Sequence, residues 1–123
     1  MTVIMERFKN NLKSIPLEIG TIKRNKDYKG ILDVINLIET KETARANSVA
    51  LDLLEKGMAM TEKNKKNAPL FFLIISEIPK ISKKIRDFAI DAMLVAEKDF
   101  YGEYRNLKEL KRGFNKIKKA IIG

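Results

Sequence analysis

The stretch Ala68–Ile78, with the sequence A-P-L-F-F-L-I-I-S-E-I, decides the fold of this chain. Its six residues 70–75 form an unbroken apolar run, which is too short to span a bilayer, since spanning needs about 20 apolar residues. A run of this length is compatible with a buried strand or a buried helix. We favour a helix, because Asn67 can cap it and Pro69 suits its first turn. Such a helix must be covered by other elements on every side.

The segments around this stretch carry the i, i+3, i+4, i+7 apolar spacing that is typical of amphipathic helices. Asp27 and Ser82 precede two of them as candidate caps, and Gly102 follows one as a candidate terminator. The predicted helices are Thr2–Lys13, a short one through Leu17–Ile22, Tyr28–Glu39, about Ala46–Met58, Ala68–Ile78, Lys83–Phe100 and Glu103–Ile122. No strand-like alternation is seen, so the predicted fold class is all-α, a compact helical domain of 5–7 helices.

Composition narrows the class of protein. The chain has 123 residues, which predicts one all-α domain over residues 1–123. It has no cysteine and no histidine, which removes disulfides, thiolate or imidazole metal ligands and Ser-His catalysis. The opening M-T-V-I-M-E-R-F-K lacks the apolar core of a signal peptide, and no membrane-spanning segment is seen. We therefore expect a cytoplasmic protein.

The middle of the chain overlays on itself when it is shifted by 39 residues, a shift that brings Val49–Asp52 onto Phe88–Asp91. Ile85–Met93, with the sequence I-R-D-F-A-I-D-A-M, resembles the second-helix signature of a HEAT repeat, commonly V-R-x-x-A-x-x-A-L. The earlier unit is a poorer match, because Asn47 stands where the arginine belongs. The resemblance covers about residues 28–100.

A HEAT-like chain implies helical hairpins as its units, here residues 28–60 and 67–100. Two units are fewer than the three or so that stacked arrays need. The flanking helices must then act as caps, or the fold is an irregular bundle. The C-terminal helix over residues 103–122 is one such flanking helix.

No constellation of catalytic residues is found in the sequence, so we predict a protein that is not an enzyme and has no cofactor. The chain has no phosphate-binding glycine motif. Three carboxylate pairs stand at helical spacing among lysines and are interpreted as salt-bridged, solvated faces, with Lys83 four residues before Asp87. These pairs are Glu39 with Glu42, Asp52 with Glu55, and Asp87 with Asp91.

The net positive charge is the feature of the sequence that points most directly to a function. Lysine and arginine total 25 against 16 acidic residues, a net charge of +9, which favours an anionic partner. The last helix carries seven basic residues that we predict as an anion- or nucleic-acid-binding set. They are Arg105, Lys108, Lys111, Arg112, Lys116, Lys118 and Lys119. Tyr101 and Tyr104 either stack on bases or fill the edge of the core.

Two functions follow from these observations. The first is a non-enzymatic protein-interaction module, a small subunit or adaptor in a larger assembly. The alternative is a nucleic-acid-binding protein that uses the basic face of its C-terminal helix. The two differ in what they require of the surface: an exposed apolar groove favours the first and a clustered basic patch favours the second. The sequence does not predict the oligomeric state.

Overall fold

The fold consists of helices joined by short connections. The computed structural model describes residues 6–8, 10, 26–98 and 102–122, and leaves out the side chain of Asp27. Within these residues a 3-10 turn, Lys26–Tyr28, precedes α1 (Lys29–Glu39), α2 (Thr43–Glu62), α3 (Ala68–Ser76), α4 (Lys83–Ala96) and α5 (Leu107–Ile122). No strand occurs in the described part of the chain, so the all-α class is confirmed. The predicted helix Leu17–Ile22 lies outside the described residues, and of the predicted helix Thr2–Lys13 only residues 6–8 and 10 are described, all of them helical.

Several helix ends differ from the prediction. The end of α4 at Ala96 shows that the extension to Phe100 was wrong, because the chain turns at Glu97 and reaches a left-handed residue at Lys98, where φ is 59°. Gly102 therefore does not terminate that helix. The longer α2 begins at Thr43 and continues to Glu62, beyond both limits of its apolar stripe. Helical hydrogen bonding thus extends past the residues whose side chains are buried.

The ends of α1 and α2 share one motif. After α1, the N–H of Lys41 donates to the carbonyl of Ile38 at 3.1 Å and the N–H of Glu42 donates to that of Leu37 at 2.9 Å. Lys41 has a φ of 63°, and Asn64 after α2 has a φ of 54°. This is the Schellman arrangement, in which a left-handed residue lets the last carbonyls find donors. It reverses the chain within a few residues and places α2 beside α1.

The predicted caps take their positions without the predicted hydrogen bonds. Asn67 and Ser82 stand at the N-cap positions of α3 and α4, yet neither side chain makes a capping hydrogen bond. Tyr28 rather than Asp27 stands at the N-cap of α1. Pro69 does lie in the first turn of α3, as its fixed φ favours.

The central helix α3 is buried, as predicted from its apolar run. Phe71, Phe72, Ile74 and Ile75 are each 0% exposed, while the face with Leu70 and Leu73 is half-buried. The most extensive packing in the described chain joins α3 to α4, and α2 covers a further side. The ring of Tyr28 meets that of Phe71 edge-on, with centroids 5.4 Å apart.

Glycines permit the closest approaches between helices. An added methyl at Gly57 of α2 would lie 2.5 Å from Cε1 of Phe72 on α3, and one at Gly30 of α1 would lie 2.5 Å from Cδ2 of Leu53 on α2. Both distances are well below van der Waals contact. At Gly57 the added methyl would meet a buried aromatic ring, so α2 and α3 would have to shift, whereas at Gly30 the end of the Leu53 side chain would have to rotate away.

The described helices form two neighbouring pairs, and α2 of the first pair contacts both helices of the second. Helix α1 packs on α2 and α3 packs on α4, while α2 also contacts α3, α4 and α5. The last helix, α5, lies across both α2 and α4. Phe8 near the N-terminus is 0% exposed and joins the same core. The division of the chain into HEAT-like units stays a prediction.

We expect Ile74→Asp to abolish folding, because it places a carboxylate in a fully buried site, and Ser76 is the only buried polar or charged residue among those that the structure describes. Thermal melting followed by circular dichroism, together with the yield of soluble protein, measures the effect.

The matched control is Ile90→Asp, since Ile90 on α4 is 40% exposed and its replacement leaves the charge in water. Leu73→Asp should give an intermediate loss. A melting temperature of Ile74→Asp equal to that of the parent would show that α3 is not central to the fold.

Gly57→Ala should destabilise the protein although alanine favours the helical state. The gain in helix propensity is about 1 kcal/mol, whereas overpacking against the fully buried Phe72 ring costs about 1–3 kcal/mol. The difference is an expected net loss of up to about 2 kcal/mol in urea unfolding. In a Phe72→Leu background the same substitution should be neutral or stabilising, and an equal loss in both backgrounds would contradict this explanation.

Candidate anion-binding surface

The helix that carries most of the candidate residues begins later than predicted. Helix α5 starts at Leu107 rather than Glu103, because Asn106 caps it: the N–H of Glu109 donates to Oδ1 of Asn106 at 2.9 Å. The carboxylate of Glu109 in turn accepts from the N–H of Arg105 at 2.9 Å. These two bonds stabilise the start of the helix. Arg105 therefore lies in the preceding segment and not on the helix.

The apolar side of α5 packs as predicted from its spacing. Leu110, Gly113 and Phe114 are buried, and Leu107, Ile117 and Ile121 are half-buried against the core. The rings of Phe114 and Phe88 on α4 lie 5.9 Å apart. This packing orients α5, so the residues on its other side face solvent.

Four of the predicted basic residues lie together on the solvent side of α5, and we call them the basic stripe. They are Lys108, Arg112, Lys116 and Lys119, all exposed. Their spacing of four, four and three residues keeps them on one face, over a length of roughly 16 Å at 1.5 Å per residue. No ion pair joins any of them to an acidic side chain among the residues that the structure describes.

Two other predicted residues face α2 instead. Nζ of Lys111 lies 3.5 Å from Oε2 of Glu62, and Nζ of Lys118 lies 6.0 Å from the centroid of the Phe114 ring. Both lysines border a cleft of about 320 Å³ with Glu55 and Glu62. Their charge is partly balanced within the molecule, so they contribute less than the basic stripe to attraction of an anion.

Arg105 belongs to a different region, which we call the basic cleft. This cleft of about 620 Å³ lies between the α2–α3 connection, the end of α4 and the start of α5. Lys65, Lys66 and Lys98 line it with Arg105. The sequence did not reveal the three lysines as a group, because Lys65 and Lys66 lie between two predicted helices and Lys98 lies near the end of another. Only the folded chain brings them together, and no local pattern could have revealed it.

Tyr104 fills the edge of the core and is not available for stacking on a base. Its half-buried ring lies over Gly113, where an added methyl would overlap the ring, and its centroid is 5.8 Å from that of Phe88. Burial, with a smaller contribution from the charges of Glu103 and Asp91, raises the pKa of the Tyr104 hydroxyl. Tyr101 lies outside the described residues.

The carboxylate of Asp91 ties α4 to the segment before α5. It accepts a hydrogen bond from the backbone N–H of Glu103, next to the close contact between Gly102 and Leu94. Burial raises the pKa of Asp91, and the nearby charges of Glu103 and Asp87 add to the rise, while the hydrogen bond opposes it. The segment that carries Arg105 is thus fixed from α4 through Asp91 and from α5 through Tyr104.

The prediction of salt-bridged, solvated carboxylate pairs holds only in part. Among the described residues Asp87 and Glu42 form salt bridges, whereas Oε1 of Glu39 is buried with no hydrogen-bond partner and Asp91 is half-buried. Nζ of Lys83 lies 3.0 Å from Oδ2 of Asp87, as predicted from their spacing. Glu42 pairs with Arg45 at 3.6 Å. Within the described ranges no three acidic side chains come together in a way that could hold a metal ion, and no helix has the length and apolar character to cross a membrane.

Comparison of the chain with protein-family models, with curated proteins and with solved structures finds no match. The resemblance to HEAT repeats accordingly stays a prediction from the sequence.

Asp91→Asn should change how stability depends on pH. Because the pKa of Asp91 is raised in the folded state, ionisation of this carboxyl opposes folding. The resulting loss of stability develops as the pH rises through and above the ordinary pKa of 3.8. Asparagine still accepts the Glu103 N–H bond without a charge. We expect the variant to equal or exceed the parent in urea unfolding at pH 7, with its relative advantage lost by pH 3.

Asp87→Asn is the matched control, because it removes an exposed carboxylate that pairs with Lys83. That variant should show no gain at pH 7. A loss of stability in Asp91→Asn at pH 7 would mean that the charged hydrogen bond outweighs burial at this site.

Proposed function

We propose that this chain is a non-enzymatic nucleic-acid-binding protein that docks through the basic stripe of α5. The observation that carries the proposal is the clustering of Lys108, Arg112, Lys116 and Lys119 on one exposed face. Lysine and arginine side chains at this spacing can contact successive phosphates of a nucleic-acid backbone. The proposal concerns attraction to the backbone, since three of the four residues are lysines, which act as point charges rather than as bidentate readers of bases.

The apolar surface supports this choice over a protein partner. Among the described residues, the clearly exposed large apolar side chains are Ile90 on α4 and Ile122 at the end of α5. Protein interfaces usually have an apolar centre surrounded by polar residues. Two apolar side chains on different helices supply little of such a centre.

A protein-interaction role, as a subunit or adaptor, is the second candidate. The observation that favours it is a cleft of about 310 Å³ at the end of α5, lined by Ile122 together with Asn115, Lys118 and Lys119. One apolar side chain beside two cations suits an acidic protein segment with an apolar anchor. This candidate predicts binding that depends on Ile122, which the basic stripe alone does not require.

The salt dependence of binding tests the nucleic-acid proposal. Lysines and arginines that contact phosphates release counterions, so affinity for duplex DNA should fall with salt at a log–log slope of about −0.9 per phosphate neutralised. Replacing the four stripe residues by glutamine should flatten the slope by up to roughly 3–4 units and weaken all sequences alike. Fluorescence anisotropy with a labelled duplex across a salt series gives the slope.

Lys111→Gln with Lys118→Gln is the control, because these lysines face α2 and should change the slope little. Circular dichroism should show that both sets of variants fold, since none of these side chains belongs to the buried core. Absence of binding by the parent at low salt would overturn the proposal and leave the protein-interaction candidate, which Ile122→Ser then tests against an acidic peptide.

A further inference from the structure

The basic cleft combines charge with an apolar floor. Its four cations line the rim, whereas Pro69, Ala96 and Leu107 are half-buried and form apolar lining. Its volume of about 620 Å³ lies within the 300–1,000 Å³ range that is usual for small-ligand pockets. A ligand that uses both parts must carry a flat or apolar group and a negative charge.

The net charge of the cleft is positive. Lys65, Lys66, Lys98 and Arg105 stand against Glu62, whose carboxylate already pairs with Lys111 at 3.5 Å. Within the described chain, no ion pair joins the four cations to an acidic side chain. The cations therefore remain available to a phosphate, which is attracted to several cations at once.

We propose that the basic cleft takes one unstacked nucleotide of a single-stranded nucleic acid, with the phosphate on its basic rim and the base against its apolar floor. The inference rests on the proposed function, and it names the form of nucleic acid that the surface prefers.

The basic cleft and the basic stripe are adjacent along the chain. Arg105 and Leu107 line the cleft, and Lys108 begins the stripe. A strand whose backbone follows the stripe would have to pass from Lys108 to Arg105, at the start of α5, to reach the cleft. The Asp91 carboxylate on α4 accepts from the Glu103 N–H and the Tyr104 ring lies over Gly113 of α5, so both helices contact the segment that carries Arg105.

A duplex cannot bind the basic stripe and the basic cleft together without a free-energy cost. Its bases are paired and stacked, and extruding one of them costs a few kcal/mol. A single strand presents its bases freely, and sequence-independent binding of single strands usually combines a basic groove with aromatic side chains on which bases stack. In the basic cleft, Pro69, Ala96 and Leu107 would contact the base instead. The basic stripe alone attracts either form, so the preference for a single strand must come from the cleft.

The decisive variant fills the cleft without changing the charge. Ala96→Tyr places a ring over the half-buried floor, and Ala44→Tyr, at an exposed position of α2 that does not line the cleft, is its matched control. We expect the parent to bind a labelled 12-nucleotide single strand about tenfold more tightly than the duplex, a difference of about 1.4 kcal/mol. Ala96→Tyr should bring this ratio to about one while it leaves duplex affinity within about twofold. Ala44→Tyr should keep the ratio.

A charge variant tests the rim separately. Lys65→Gln, Lys66→Gln and Lys98→Gln together should weaken single-strand binding more than duplex binding and should flatten the single-strand salt slope by roughly 2 units, at about 0.7 per phosphate contact. The control replaces three exposed lysines outside the cleft, Lys41, Lys80 and Lys84, by glutamine. An equal effect of both triple variants would mean that only net charge matters, which contradicts the cleft.

The outcomes separate the two proposals. If the stripe variant weakens both forms and Ala96→Tyr changes neither, the proposed function stands and the cleft inference is overturned. If the parent binds neither form, the proposed function fails, and adenosine 5′-monophosphate then probes the cleft alone by two-dimensional NMR. Shifts around Ala96 and Arg105 that Ala96→Tyr abolishes would support a site for a free nucleotide, and no shifts at millimolar nucleotide would overturn the cleft inference as well.

Discussion

Packing of the Phe72 ring against Gly57 joins the buried helix α3 to α2, and the rest of the fold depends on this contact. An apolar helix of nine residues cannot remain in water, so it must be enclosed, and enclosure requires neighbours that come close. Helix α4 follows α3 after a short connection, whereas α2 can approach only where a side chain is missing. Once α2 is placed, it becomes the surface on which α1 and α5 also pack.

The last helix performs two tasks on its two sides. Its Leu110 and Phe114 face covers α2 and α4, which would otherwise expose apolar surface to water. Because that face is engaged in the core, the positive charge of α5 is concentrated on the opposite face. A helix that caps the fold in this way presents a charged surface to solvent, and the proposed binding role would need no structural change elsewhere.

The apolar patterns of the sequence predicted the buried helices well. The partners of charged residues did not follow from the sequence, because they depend on contacts between distant segments. The apolar run of α3 and the stripe of α5 each led to the right element, because burial imposes a periodicity on neighbouring residues. The start of α5 was missed, because Asn106 and Glu109 form a local cap that the helical charge pattern conceals. The seven candidate residues formed one set in the sequence, but Lys111 finds Glu62 across the fold and Arg105 lines another region. Tertiary packing alone decides such partners.

Three lysines in the connections between helices have strained backbone conformations that lower the stability of the fold. Lys41, Lys80 and Lys98 all have left-handed backbone angles, with φ between 59° and 63°. For residues with a Cβ this conformation costs roughly 1–2 kcal/mol each, so the three lysines together hold roughly 3–6 kcal/mol of strain. Small domains are stable by about 5–15 kcal/mol in total. The chain therefore gives up a sizeable fraction of the stability it could reach in the connections between its helices. Glycine would adopt these backbone angles without strain, but lysine adds a positive charge.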